Sequence, residues 1–382
     1  MKVKQLSADR ILKKVVNYFN PDLQRIEEGR KRMEKIWEGK EIDYLPILLP
    51  GVKITERNEF PNYNLKEQFY DPVKMLVEHL WGIISSSRVN DDSQLTIRAN
   101  LGTGFIPSAF GLKQKVFPDK MPWVVEKLSK EEIEKIDKKK FITGIKEKGL
   151  MPRALKYYDF YKDNIPEGIN MYVNDTQGPF DIAHLIYGDK LFTELYDDPE
   201  FVHHLLDLST AAYIEITKVI KKTIGEELNR GYHSRIYMSS CGIRCCEDTT
   251  TLISEEQFEE FAFPYIKKAL KAFGGGWVHW CGSGHQFLDR LLEEPLVKGI
   301  NFGNPERYDW NELASKLVKT GTVYNGSIIS QQKNESIEEY FKRVLAPLPK
   351  KGYLIFHAHP HENADWSNND KVYELWKKVH NF

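Results

Sequence analysis

Eight short apolar runs, separated by stretches with helical periodicity, are the strongest constraint on how this 382-residue chain can fold. The runs are Tyr44–Leu49, Gln94–Ala99, Asn170–Asn174, Arg235–Ser239, Trp277–Trp280, Val297–Phe302, Thr322–Asn325 and Tyr353–His357. Strand–helix alternation implies parallel pairing with helical crossovers, and eight such units predict an α/β fold of the (β/α)₈ barrel type. Between the runs, residues 199–224 place Phe201, Leu205, Leu208, Ala212, Ile216, Val219 and Ile220 on one helical face. Asp198-Pro199 supplies a cap followed by proline in the first turn. Ser254 and Gln257 have capping-box spacing at the head of another helix.

Residues 1–40 are charged and helical in pattern, with Leu12, Val15, Val16 and Phe19 on one stripe and Ile26, Met33 and Ile36 on another. They are expected to form a helical extension before a single barrel spanning 41–382. Residues 101–168 break the rhythm and read as an insertion on the catalytic face. Within them, Lys138-Lys-Lys140 reads as a solvated helix end. The loop Asn100–Pro107 is glycine-rich but lacks the spacing of either phosphate-binding fingerprint.

Charge narrows the function. Lys and Arg number 54 against 55 Asp and Glu, which gives no basic footprint for nucleic acid or for an anionic membrane. The apolar runs are too short for a membrane span, and the N-terminal segment lacks the apolar core of a signal peptide. Four cysteines, two of them adjacent, make no disulfide framework. A cytoplasmic protein is the expectation.

The chemistry is concentrated in Gly276-Trp-Val-His-Trp-Cys-Gly282. On a strand, His279 and Cys281 project to the same side, giving an imidazole and a thiol as half of a zinc site. The other dense ligand cluster is His357-x-His359-x-His361, at the end of the last strand. In a barrel the two strand ends reach one rim. His279, Cys281 and His359 would leave zinc an open fourth position, with Glu247 and His357 as further candidate ligands. Glu247 and Asp248 are candidate acid/base groups, while Cys245 and Cys246 read as buried, inert thiols. Asn174, Gln177 and Asn325 lie at strand ends where they could contact substrate. A hydrolase-type metal dyad at His357 and His359 fits less well, because such a dyad belongs on the first strand.

Thr176-Gln-Gly-Pro-Phe180, Gly188, Asp197-Asp-Pro-Glu200 and the run Asp248-x-x-x-Leu252-Ile-Ser-x-Glu-x-Phe258-x-x-Phe261-x-x-Pro264-Tyr265 resemble the uroporphyrinogen decarboxylase superfamily. The resemblance implies a (β/α)₈ barrel and one of two chemistries. The decarboxylase branch grips substrate carboxylates with an N-terminal arginine motif. The matching segment here, Leu45–Gly51, has no arginine. The other branch contains corrinoid-dependent methyltransferases with a His-x-Cys…Cys zinc motif. His279 and Cys281 match its first two positions, and His359 stands where the distant cysteine would be. Two imidazoles and one thiolate would leave zinc more cationic, which favours polarising an oxygen. The expectation is therefore a zinc enzyme that moves a methyl group from an ether-type donor to cob(I)alamin on a separate corrinoid protein. Methyl transfer from a methylcorrinoid to a thiol, a non-catalytic corrinoid-protein-binding barrel, and a decarboxylase are the alternatives.

Overall fold

The computed structural model describes residues 6–349 and 352–380. The outer ends of the expected extension and barrel, at residues 1 and 382, lie outside them. The barrel strands are β1 (Ile47–Leu48), β2 (Thr96–Ile97), β3 (Asn170–Met171), β4 (Ile243–Cys246), β5 (Gly276–Trp280), β6 (Val297–Phe302), β7 (Val323–Gly326) and β8 (Leu354–His357). All ladders between them are parallel. Six strands form an arc in the order β1-β8-β7-β6-β5-β4, and β2 pairs with β3.

Two seams close the ring by other means. Between β3 and β4, Cys246 N donates to Thr176 O at 3.1 Å and Gly178 N donates to Cys246 O at 2.6 Å. Between β1 and β2, side chains replace part of the ladder. Leu49 N donates to Asp91 Oδ2 at 2.8 Å and Ile47 N to Asp92 Oδ2 at 2.9 Å. Asp91 also holds Arg235 at 2.7 Å, while Asp92 holds Arg32 at 2.5 Å and the Tyr373 hydroxyl at 3.0 Å. Both aspartates are fully buried, so backbone donors and guanidinium partners are what make their charge tolerable there.

The fourth strand differs from the expectation. Ile236–Met238 pairs antiparallel with Gly231–His233, turning at Ser234 and Arg235, with Ser234 at φ 51°. This hairpin lies ahead of β4, against the N-terminal helix Leu23–Trp37, where Trp37 Nε1 donates to Tyr237 O at 2.7 Å. The true β4 is Ile-Arg-Cys-Cys, whose arginine breaks the apolar pattern because it points into the barrel.

The N-terminal extension forms helices Ala8–Val16 and Leu23–Trp37, with Ile11, Leu12 and Val15, then Ile26, Met33 and Ile36, buried as their stripes require. Gly29 is needed in the second helix because a Cβ there would overlap the backbone of Asp92. Helix Pro199–Ile224 starts with the Asp198 side chain accepting from Phe201 N and ends at left-handed Gly225. Helix Met151–Asn164 leads into β3, and the other elements of the interval 101–168 precede it. They include the antiparallel pair Gln114–Lys115 and Trp123–Val124 and the short helices Lys130–Glu134 and Lys138–Thr143.

Candidate metal centre

The inward faces of β4 and β5 set the site. Period two sends Arg244 and Cys246 inward from β4, and Trp277, His279 and Cys281 inward along β5 and just past it. The β4–β5 register pairs Cys246 with His279. Asp248 follows in the loop above. Ligand atoms of Cys246, Asp248 and His279 all lie within 4.8 Å of one another. Cys281 Sγ is 3.6 Å from His279 Nε2, and Asp248 Oδ1 is 3.8 Å from the same nitrogen. Tetrahedral zinc with bonds of about 2.0–2.3 Å needs ligand atoms roughly 3.3–3.8 Å apart. The distances from His279 Nε2 to Cys281 and Asp248 fall in that range. Cys281 is exposed at the barrel mouth, and Gly303 beside it must lack a side chain because a Cβ would overlap its sulfur.

The protonation pattern also fits. His279 Nδ1 lies 2.5 Å from Asn301 Oδ1. Asn301 Nδ2 is committed as a donor to Asn325 O, so its Oδ1 must be the atom facing the imidazole. That places the proton on Nδ1 and leaves the Nε2 lone pair free toward the sulfur and carboxylate. Burial and the nearby Arg244 guanidinium hold the imidazole neutral, with its pKa pushed down to about 4. Burial, with Asp248 beside it, raises the Cys281 thiol to about 11; burial also raises Cys246. Both thiols would release a proton to a metal. The chain continues on β7 and β8, where His357 Nε2 lies 2.8 Å from Asn325 Oδ1. Four adjacent strands thus contribute one hydrogen-bonded row: His279, Asn301, Asn325 and His357.

The expected site residues separate on this geometry. His279, Cys281 and Asp248 come together. His359 is not part of that cluster: it is exposed and lines a surface pocket of about 600 Å³ with Arg343 and Glu306, whose other wall includes Gly303 beside Cys281. One residue past the end of β8, Ala358 still bonds β1, and the chain then turns outward to meet Gln331 and Tyr340. His357, on β8, is separated from β5 by β6 and β7 and serves the polar row. Glu247 points away from the barrel interior, its carboxylate accepting from Phe180 N and Asp181 N at the start of helix Pro179–Tyr187. Asp181 reciprocates by accepting from Asp248 N and Thr249 N. This exchange fixes the loop that carries Asp248. Asn174 is buried in packing, bonded to Ala99 O and Tyr158. Gln177 donates to Asp175 at 2.6 Å, and Asp175 lies 3.4 Å from Arg98 inside the barrel.

Three residues were not expected at the site. By sequence Cys246 reads as a buried, inert thiol, because free cysteines are among the most buried residues; its Cys-Cys pair, one facing in and one out, is the available signal. Asn301 and Arg244 carry no motif. Arg244 lies 5.6 Å from the Trp277 ring centre and forms no hydrogen bond or ion pair through its side chain among the described residues.

Residues 235–380 match the model of the uroporphyrinogen decarboxylase (URO-D) family. That region carries the family's domain. It includes Cys246, Asp248, His279, Cys281, Asn301, Asn325 and His357. No curated protein matches the chain by sequence. Among solved structures, a methyltransferase from Methanosarcina mazei shares the fold with a TM-score of 0.64 at 13% identity, over 92% of this chain and 99% of that one. That shared fold agrees with the strand order described above.

Proposed function

We propose that this chain is a zinc-dependent methyltransferase that works with the corrinoid of a separate protein. The observation that carries the reading is the cluster of Cys246, Asp248 and His279, with Cys281 Sγ 3.6 Å from His279 Nε2, at the open mouth of a barrel whose residues 235–380 match the uroporphyrinogen decarboxylase family model. The fold of the methanosarcinal methyltransferase supports the reaction class. When bound, zinc would supply Lewis acidity, lowering the pKa of a substrate group in the open position.

The direction of transfer changes with the ligand set. The ether-demethylating reading rested on His359 as third ligand. With Cys246 in that role, one imidazole and two thiolates leave the ion formally neutral, which favours an electron-rich substrate thiolate over a polarised ether oxygen. We therefore favour methyl transfer from a methylcorrinoid to a small-molecule thiol. Ether demethylation is the second reading, favoured by Asp248, whose oxygen would make a harder site if it displaced Cys246.

The chain's own residues prepare the pocket. Asn301 holds the imidazole with Nε2 toward the mouth. Arg98 and Arg244 face the barrel interior, and among the described residues Asp175 is the one carboxylate paired to either. Their excess positive charge suits a substrate with an anionic group next to its reacting end. Four carboxylates of a tetrapyrrole would find no arginine at Leu45–Gly51, which is apolar, and this disfavours decarboxylation.

Elemental analysis is expected to find one zinc per chain, lost in His279→Ala and Cys281→Ser with the circular dichroism spectrum unchanged. Zinc-edge absorption with added thiol is expected to show an additional Zn–S contact at about 2.3 Å. A zinc-free protein with full methyl-transfer activity would sink the proposal. No change at the zinc edge with thiol, together with turnover of a methyl ether, would select the second reading.

A further inference from the structure

A cavity of about 960 Å³ lies outside the barrel, between the segment Ser108–Gln114, helix Lys138–Thr143 and the start of helix Met151–Asn164. The methyl-transfer reading uses none of its residues. Its volume is at the upper end of the range for small-molecule sites. Most of its wall belongs to the insertion, which barrel closure does not need.

The lining has two parts. The floor is aromatic: Phe69 and Phe141 are buried, and the Phe110 and Phe141 rings lie 4.5 Å apart between centroids at 32°. The rim is cationic. The Arg153 guanidinium carbon is 4.7 Å from the Phe69 ring centre and 4.8 Å from that of Tyr70, and Lys148 Nζ is 5.1 Å from that of Phe141. Lys135 and Lys140 complete the rim. None of Lys135, Lys140, Lys148 and Arg153 forms an ion pair among the described residues. Neighbouring Lys138 does, with Asp207. The one carboxylate in the lining, Asp137, accepts from Lys140 N at 2.9 Å as a helix cap. Two of the three lysines in the run that reads as a solvated helix end therefore have a different environment: Lys138 is tied down and Lys140 faces the cavity. In a chain with net charge −1 this is a local cationic excess over apolar rings.

We propose that this cavity binds a small aromatic anion, its ring against Phe69, Phe110 and Phe141 and its carboxylate, sulfonate or phosphate against Lys140, Lys148 and Arg153. Rings favour a flat partner through offset contacts, and cations partly desolvated over rings bind an anion more strongly than free surface lysines do. The proposal is independent of the metal centre.

The test is fluorescence titration of the full-length, zinc-loaded chain with 1-anilinonaphthalene-8-sulfonate. Saturable binding at one site is expected, unchanged in His279→Ala and weakened at least tenfold in Lys140→Glu/Lys148→Glu. Both lysines carry no ion pair, so this variant is expected to fold. Naphthalene sulfonate should compete, whereas naphthylmethylammonium and decanoate should not. Equal affinity in the folded double variant, or competition by the cation as strong as by the sulfonate, would overturn the assignment. Competition by decanoate at the strength of the aromatic sulfonate would overturn the aromatic class. Zinc content reports the metal centre separately, so failure here leaves the methyl-transfer reading untouched.

Discussion

The two halves of this barrel are held together differently. From β5 to β8 the strands run four to six residues and share parallel ladders, the longest joining Val297–Phe302 to Gly276–Trp280 with an irregularity between Val297 and Gly299. From β1 to β3 they run two residues each, and β1 meets β2 through the carboxylates of Asp91 and Asp92. Ladders fix side-chain register to within one residue, because a slip of one would turn every inward group outward. The half with long ladders is where His279, Asn301, Asn325 and His357 stand in a row. It is also where the family match lies. The other half has buried charge in place of ladder, and it carries the insertion.

Three substitutions probe this contrast. The largest effect is expected in the charge-closed half. Asp91→Ala strands the Leu49 N–H and leaves the half-buried Arg25 and Arg235 without their carboxylate. Breaking such a network costs about 3–5 kcal/mol. Urea unfolding should show that loss; a change below about 1 kcal/mol would mean that β1 and β2 close without the carboxylates.

In the ladder half, Asn301→Leu removes the acceptor from His279 Nδ1 and the donor to Asn325 O. Zinc affinity is expected to fall about 10–100-fold. Chelator competition measures this directly. Stability should fall by only about 1–2 kcal/mol, since the two hydrogen bonds lost are both neutral. Unaltered metal affinity would mean that the row is packing alone.

The smallest effect is at the junction of the halves, where Glu247 and Asp181 exchange helix-start bonds. Burial pushes Asp181 up to about 7 from 3.8, and burial with the charge of Asp181 raises Glu247. Folded-state pKa values above the unfolded ones mean that the native state holds more protons. The stability from this pair is full below about pH 4 and is lost as pH rises toward about 7. Glu247→Gln removes one charge and should flatten that loss, by an amount on the order of 1 kcal/mol. Melting temperatures of both proteins across this window give the comparison. Parallel curves would show that the two acids do not interact.

Much of the fold was legible because periodicity is local. Seven of the eight apolar runs are barrel strands, the helix at 199–224 has the boundaries its cap and glycine require, and His279 and Cys281 share a face as strand period two demands. The miss at β4 has a physical cause. A hairpin strand and a barrel strand look alike in sequence, and Arg244 hid the real strand because an inward-facing arginine is uncommon in a barrel interior.

Sequence alone determined the period of the elements, the His-x-Cys pair and the family resemblance, all of which depend on residues close in the chain or on their order. Tertiary structure decided which other ligand-type side chains stand beside that pair. His359 is two residues past His357 by sequence and looks like its equal, but the chain leaves the barrel wall at that point and takes the imidazole outward. Cys246 and Asp248 reach His279 because parallel register sets β4 beside β5. Distances between strands depend on register and on where each strand ends, and neither is written in the spacing of residues along the chain.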